Sequence, residues 1–300
     1  MTRKRRSRTG ERALWVAGAS ATLVLVALLV LVLGDAVTSG GSALTWTFLS
    51  QPPRDGMRAG GVLPAIVGTA LLTLGMTVVA VPAGVATAVW LVAYVPKASR
   101  RATLVRVAVA NLAAVPAVVF GLFGLGFFVS VVGKRMDAVL QTAGPVWGKP
   151  ALVWSALTLA LLTLPVVVVS AEQAMRTVPR DLLDASLALG ATRWQTIVRV
   201  LIPEALPGIM TGTVLAIGRG AGEVAPILFT GVAYYLPSLP TSPADPFMSL
   251  GYHAYVLATQ SPDPARTRPL LGATVLMLLA VTLAASSAAI VLRSRARGRR

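Results

Sequence analysis

This chain of 300 residues has few of the side chains on which much protein chemistry depends. It contains no cysteine, which excludes disulfide bonds, thiol catalysis and thiolate metal sites. Its single histidine, His253, argues against a metal site built from imidazoles. It also has no GxxxxGK[ST] phosphate-binding loop and no nucleophile–base arrangement. We therefore expect this chain to bind no cofactor, to hydrolyse no ATP and to be no enzyme in its own right.

Acidic residues are also scarce, with 11 Asp and Glu against 27 Lys and Arg, so the formal net charge is +16. Charged residues make up only 13% of the chain, whereas hydrophobic residues make up 55% and the mean hydropathy is +0.75. Soluble globular proteins carry about 25% charged residues. The composition therefore predicts an integral membrane protein, whose positive charge reflects membrane topology rather than nucleic-acid binding.

Six apolar runs are long enough to cross a bilayer, which takes about 20 helical residues. They predict an all-α, polytopic membrane protein with spans at 13–33, 64–94, 103–132, 151–171, 205–233 and 270–292. The corresponding division is a basic N-terminus (1–12), a first transmembrane helix (13–33), one membrane domain (64–292) and a basic tail (293–300). The first apolar run is longer than a signal-peptide core, which favours an uncleaved anchor.

Basic residues are concentrated before the first span, in alternate loops and after the last span. These groups are Arg3, Lys4, Arg5, Arg6, Arg8 and Arg12; Lys97, Arg100, Arg101 and Arg106; Arg176, Arg180, Arg193 and Arg199; and Arg293, Arg295, Arg297, Arg299 and Arg300. The positive-inside rule places all four groups, and therefore both termini, in the cytoplasm.

The cytoplasmic loop 179–203 predicts two short helices joined by a tight turn. Gly190 suits the left-handed conformation that ends a helix. The second helix carries an apolar face at helical spacing, formed by Trp194, Ile197, Val198 and Leu201. We expect Pro203 to end this helix before the fifth span begins. From periodicity alone, a helix lying on the membrane surface explains the pattern equally well.

The spacing in this loop resembles the EAA loop of ABC importer permeases, whose pattern is EAA, three residues, G, nine residues and I-x-L-P. The matching residues are Asp184, Ala185, Ser186, Gly190, Val200, Ile202 and Pro203, and Trp194 lies on the apolar face of the same loop. In that family the loop is a coupling helix that docks into a groove of the cytoplasmic ATPase subunit. The resemblance implies that this loop transmits motion from a partner that uses ATP and Mg²⁺.

The fifth predicted span contains a charge pair, Arg219 and Glu223, among three glycines. We expect Arg219 about halfway along the span, where a charge costs about 2.5–3.5 kcal/mol on insertion scales. Residues four apart lie on one helical face. Two interpretations stay open: an ion pair that fixes helix packing, or an anion-selective part of a pathway, since a guanidinium suits oxyanions.

Two blocks resemble the phosphate ABC importer permeases of the PstA type. One is Met210–Gly231, and the other is Val115–Phe123, which looks like V-P-S-I-V-x-G-L-F with alanine in place of serine. The resemblance covers roughly 64–292 and implies the type I importer fold, with Arg219 and Glu223 at the positions of the family's intramembrane Arg and Glu. PstC-type permeases have a similar charged segment, so the choice between the two types stays open here.

The resemblance implies a membrane-spanning subunit of an importer of inorganic phosphate in a bacterial inner membrane, working by alternating access. Its partners would be a PstC-type permease, two PstB-type ATPase subunits and a PstS-type extracytoplasmic phosphate-binding protein. The alternatives are a permease for sulfate, molybdate or phosphonate, an ATP-independent secondary transporter or channel, and a scaffold in phosphate sensing.

Two further features have open interpretations. Pro116 and the glycines after it either serve ordinary packing in the third span or form a kink that takes part in opening. His253, with Tyr252 and Tyr255, is expected in an interfacial aromatic belt, with a contact to an extracytoplasmic protein as the alternative.

Overall fold

The computed structural model describes residues 8–57, 59–96 and 99–297. Residues 1–7 and 298–300 of the predicted basic termini lie outside the described residues, as do Arg58 and Lys97. Six helices within the described ranges are long and apolar enough to cross a membrane, which confirms the predicted number. They cover Glu11–Ala43, Leu63–Tyr94, Ala117–Leu140, Leu152–Arg176, Arg193–Gly222 and Pro264–Val291.

The first helix, α1 (Arg8–Gly40), has no buried residue along its most apolar 18 residues, whereas Ala36 near its end is buried. It meets the last helix, α12 (Pro264–Arg297), where Gly40 packs directly on the backbone of Gly272. An outer connection follows α1. It consists of a 3₁₀ turn (Gly41–Ala43), α2 (Trp46–Ser50) and a two-stranded antiparallel hairpin of β1 (Pro53–Arg54) and β2 (Ala59–Gly60).

Three helices form the centre of the bundle: α3 (Leu63–Val89), α7 (Leu152–Arg176) and α10 (Ile202–Gly222). Glycines allow these helices to approach closely, as small residues do in membrane proteins. Gly84 of α3 packs on Val167 of α7, and Gly212 of α10 packs on Ser170 of α7. A π-helical turn (Trp90–Tyr94) extends α3 to the predicted end of the second span.

The third predicted span is two helices rather than one. The helix α4 (Arg100–Ala114) ends at an extended pair, Val115 and Pro116, and α5 (Ala117–Phe123) begins after it. Proline has no N–H and disfavours the helical conformation of the residue before it, so the helix breaks there. The chain then continues through a π-helix (Gly124–Gly133) into α6 (Lys134–Leu140).

The fifth span also differs from the prediction, at both ends. After α8 (Arg180–Ala188), the helix α9 (Arg193–Thr196) runs through a π-helical turn (Ile197–Leu201) into α10. Pro203 therefore lies inside a continuous helix instead of ending one, because the wide turn before it accommodates the proline. At the other end, α10 stops at Gly222, well before the predicted limit at residue 233.

One end of the bundle has its own apolar core, which contains Phe48 of α2 and to which α11 (Leu250–Thr259) contributes Leu250, Val256 and Leu257. His253 lies on the same helix and is only 4% exposed, so the prediction that its side chain belongs to an interfacial belt was wrong, whereas Tyr255 is 44% exposed. Its Nδ1 atom is buried and has no hydrogen-bond partner among the described residues. Burial lowers the pKa of His253 to about 4, and the ring is therefore neutral at physiological pH.

Acid should therefore destabilise the apolar core around α11. An exposed histidine has a pKa of about 6.5, so the unfolded chain takes up a proton that the folded chain refuses until the pH reaches about 4. Between those values the free energy of unfolding should fall as the pH falls, by about 3 kcal/mol in all. We expect the melting temperature of the purified protein to drop over this range and His253→Gln to flatten the drop.

Asp245→Asn is the control for this experiment. Hydrogen bonds from the N–H groups of Thr241 and Ser242 hold the pKa of Asp245 below its usual value. Its contribution is present above the unfolded pKa and is lost only as the pH falls through the lowered one. Asp245→Asn should therefore leave the slope between pH 6.5 and 4 intact; an unaltered slope in His253→Gln would contradict the assignment.

Candidate functional site

The loop 179–203 folds as the spacing predicts up to its turn. Gly190 has a φ of +85°, the left-handed conformation that glycine adopts without strain. The N–H of Ala191 donates to the carbonyl of Ser186, and the N–H of Gly190 donates to that of Leu187. These two bonds form a Schellman motif, which satisfies the last carbonyls of α8. The glycine thus sets the angle at which the chain leaves α8.

The start of α9 is tied to the turn by side chains that the sequence analysis missed. Thr192 and Gln195 form a reciprocal capping box, in which Gln195 N–H donates to Thr192 Oγ1 and Thr192 N–H donates to Gln195 Oε1. The hydroxyls of Ser186 and Thr196 lie 3.0 Å apart and join the two helices of the loop. The T-x-x-Q spacing was the available signal for the cap. Ser186 therefore has a structural contact besides its place in the EAA pattern.

The apolar face predicted for the second helix divides in two. Ile197 and Leu201 are buried against α3 and α7, whereas Trp194 is 63% exposed. Leu189, beside the turn, is 90% exposed. Asp184 and Ala185 also lie on the surface, and Val200, Ile202 and Pro203 are partly buried at the junction with α10. The loop is therefore anchored on one side and presents apolar side chains on the other, as an interaction surface does.

The charge pair lies at the end of α10 rather than in the middle of a span, which corrects the expected position. Arg219 is in the last helical turn, and Glu223 is the first residue beyond it, in extended conformation. Arg219 Nε donates to Glu223 Oε1 over 3.3 Å. A cation in the last turn also suits the negative end of the helix dipole. The ion pair therefore joins the last turn of α10 to the first residue after the helix.

The helix end is nevertheless at membrane depth. No charged residue separates Glu204 from Arg219, a rise of roughly 22 Å at about 1.5 Å per residue, within the roughly 30 Å of the hydrocarbon layer. The charged groups are partly open in this chain, with 45% of the Arg219 side chain and 22% of the Glu223 side chain exposed. Charged groups at this depth face protein or a water-filled cavity rather than lipid.

The irregular segment after Glu223 packs on the block Val115–Phe123 and its continuation. A Cβ at Gly121 would lie 2.9 Å from the carbonyl oxygen of Pro226, and one at Gly124 would lie 2.6 Å from Cγ2 of Thr230. The Thr230 carbonyl accepts a bond of 2.8 Å from the N–H of Ala151. The two blocks that resemble one family are thus in direct contact, and the glycines make that contact possible.

The α10 helix has an inward and an outward glycine face near the charge pair. A Cβ at Gly220 would lie 2.2 Å from the sulfur of Met76, so this face is closed by α3. Cβ atoms at Gly218 and Gly222 would meet nothing within 4 Å, and Arg219 lies between them in sequence on the exposed side. Four-residue spacing of glycines is typical of close helix–helix contacts in membranes.

Residues 80–297 match the family described as binding-protein-dependent transport system inner membrane component. The chain belongs to this family. The permease is therefore a multi-pass inner-membrane protein of the class that works with an ATPase and a substrate-binding protein.

Similar proteins include both general and phosphate permeases. The probable ABC transporter permease protein YqgI of Bacillus subtilis (strain 168) is 30% identical over 269 residues, 86% of each chain. The phosphate transport system permease protein PstA 1 of Mycobacterium tuberculosis (strain CDC 1551 / Oshkosh) is 38% identical over 213 residues, covering 69% of this permease and 65% of that protein. PstA of Xylella fastidiosa (strain Temecula1 / ATCC 700964) is 30% identical over 255 residues, covering 83% and 80%.

The fold is also that of solved importers. A crystal structure of a bacterial ABC transporter involved in the import of the acidic polysaccharide alginate contains a chain with a TM-score of 0.63 to this permease. The similarity covers 96% of this permease and 98% of that chain at 15% identity. This confirms the predicted all-α, type I importer permease fold.

An ion triad at the base of the loop was missed by the sequence analysis. Glu172 Oε1 accepts from Arg106 Nε at 3.0 Å and from Arg176 Nη2 at 2.6 Å. Glu172 is 13% exposed, and Nη2 of Arg106 is buried without a partner among the described residues. The four-residue spacing of Glu172 and Arg176 was visible, but Arg106 is on α4 and only the fold brings it close. The triad joins α4 to the end of α7, which leads into α8.

Breaking the triad should destabilise the permease. Glu172→Gln removes the negative charge that Arg106 and Arg176 share. The partly buried guanidinium of Arg106 then has no ion-pair partner among the described residues. We expect a loss of about 2 kcal/mol in the free energy of unfolding, seen as a lower melting temperature in detergent. Asp181→Asn is the matched control, since this exposed carboxylate of the same loop makes no ion pair within the described residues. Equal melting temperatures for the two variants would contradict a stabilising triad.

Proposed function

We propose that this chain is the membrane-spanning, PstA-type subunit of an ATP-driven importer of inorganic phosphate. The loop 179–203 would receive motion from a separate ATPase, and the Arg219–Glu223 pair would serve the anion in transit. Membership in the permease family and the similarity to PstA proteins across most of the chain support this proposal. The chain itself would bind no cofactor, and ATP and Mg²⁺ would be used by the partner.

One observation carries the mechanism. The helix that begins at Arg193 in the loop runs without interruption to Gly222, beside the charge pair. At about 1.5 Å per residue, these 30 residues form a rod of roughly 45 Å. Movement of the loop would therefore pass to Arg219 along one continuous helix, which contains Pro203 and Pro207. The Ser186–Thr196 contact and the capping box hold α8 to the same rod.

The charge pair would lower the barrier for an oxyanion without trapping it. Arg219 presents permanently charged N–H donors that match phosphate oxygens. Only one of its nitrogens, Nε, makes a hydrogen bond within the described residues, so the two Nη groups are available to bind an anion. Glu223 holds the guanidinium when no anion is present and competes with the anion when one arrives, which favours release.

The open surfaces are consistent in position with the proposed assembly. A PstC-type permease would cover the outward face of α10, where Gly218 and Gly222 leave room for a close helix and where Arg219 needs shielding from lipid. Two PstB-type ATPase subunits and a PstS-type extracytoplasmic phosphate-binding protein would complete the importer. Both termini and the loop 179–203 would be cytoplasmic, as the basic groups indicate.

Arg219→Ala should abolish phosphate uptake by the assembled importer in proteoliposomes, because the anion loses its counter-charge at membrane depth. Arg219→Lys should retain part of the uptake, since it keeps the charge but not the fork. Uptake of labelled phosphate measures both, and co-purification with the partner subunits shows that assembly is intact. Undiminished uptake by Arg219→Ala would exclude a transit role, and efficient competition by sulfate or molybdate would point to a different oxyanion.

Gly190→Val should weaken association with the ATPase. Valine at a φ of +85° costs about 1–2 kcal/mol, and open space around the position excludes a steric clash as the cause. Gly190→Asn is the matched control, because asparagine tolerates the left-handed conformation better. We expect co-purification of the ATPase to fall for valine and to persist for asparagine; the same yield for both would count against the turn as the docking determinant.

A further inference from the structure

A cleft of about 490 Å³ lies behind the coupling loop, on the side of the bundle. Its walls come from the π-helical turn that follows α3 and the two residues after it, from the end of α7, from α8, and from α9 with its own π-helical turn. The transport mechanism above uses the outer side of the loop and the end of α10, and leaves this cleft without a role.

The charged groups in the cleft are mainly cationic. Arg180 and Arg193 line it, are exposed, and make no side-chain hydrogen bond or ion pair within the described residues. Arg176 also lines it but is already held by Glu172. Asp184 is the one acidic residue of the lining, so an excess of positive charge is left over.

The rest of the lining is apolar, and includes Val92, Val95, Val178 and Leu183. The cleft also lies where two transmembrane spans end, at Tyr94 and at Arg176. Cationic pockets between helices at this level suit the headgroups of anionic lipids, whose acyl chains need an apolar wall beside the charge. Free inorganic phosphate would bind the arginines but would not need the apolar side chains beside them.

We propose that this cleft binds an anionic phospholipid, with the phosphate at Arg180 and Arg193 and the glycerol and first acyl carbons against Val92 and Val95. Because α8 and α9 form two of its walls, a bound lipid fills the space between the coupling loop and the end of α3. The lipid thus stiffens the connection through which the loop moves the bundle. This site is separate from the anion path and does not depend on which solute is imported.

The test uses the complete importer in nanodiscs of phosphatidylcholine containing a minor fraction of phosphatidylglycerol. Lipids that stay bound after transfer to detergent are counted by native mass spectrometry. The wild-type complex should retain phosphatidylglycerol, and the double variant Arg180→Gln/Arg193→Gln should retain about 30-fold less, since two basic residues near the membrane surface together contribute about 2 kcal/mol. Arg100→Gln/Arg101→Gln is the matched control, because these exposed arginines are outside the lining, and it should retain the lipid.

The double variant Arg180→Lys/Arg193→Lys keeps the charge and should also retain the lipid, which separates loss of charge from misfolding. Equal retention in the glutamine variant would overturn the proposal. So would equal retention of phosphatidylethanolamine, displacement of the lipid by millimolar inorganic phosphate, or binding seen only after removal of the ATPase. The last two results would assign the cleft to a free anion or to the ATPase surface.

Discussion

A single constraint organises the region around Arg219 and Glu223: backbone N–H and C=O groups at membrane depth need partners within the protein. The α10 helix stops at Gly222, so the chain beyond it cannot be left to lipid. It packs instead on α5 and on the start of α7. Gly121 of α5 leaves room for its carbonyl groups, and Thr230 makes hydrogen bonds with Ala151 and Ser155. This covering brings the two sequence blocks together, and Arg219 and Glu223 lie beside it, partly exposed, at the end of α10.

The second organising feature is the continuity of the rod from Arg193 to Gly222. A proline inside a helix normally bends it, because one hydrogen bond is missing and the ring meets the preceding turn. Here a π-helical turn comes directly before Pro203, and the N–H of Ile202 bonds to the carbonyl of Ile197 in its wider ring. The loop and the charge pair are consequently parts of one continuous helix, which also contains Pro207. The third predicted span, by contrast, is broken by the extended pair Val115 and Pro116.

Local patterns predicted the features that depend on neighbours in the chain. Runs of apolar residues predicted six spans, and the left-handed glycine predicted the end of α8, because both follow from hydrophobicity and from steric limits within a few residues. The same reasoning failed at Pro203, where the π turn could not be foreseen, and at His253, which was placed at an interface and is buried. Burial depends on which helices pack around a residue, and a single polar ring in an apolar run gives no sign of it.

The sequence by itself determined the class of protein, the number of spans, the turn at Gly190 in the loop 179–203 and the two blocks that resemble the permease family, because composition and residue spacing act locally. Only the tertiary structure decided that the loop and the charge pair share one helix, that Arg106 meets Glu172, and that arginines and apolar residues from separate segments enclose one cleft. These contacts join residues far apart in the chain, and their geometry depends on where helices end and how closely glycines let them approach.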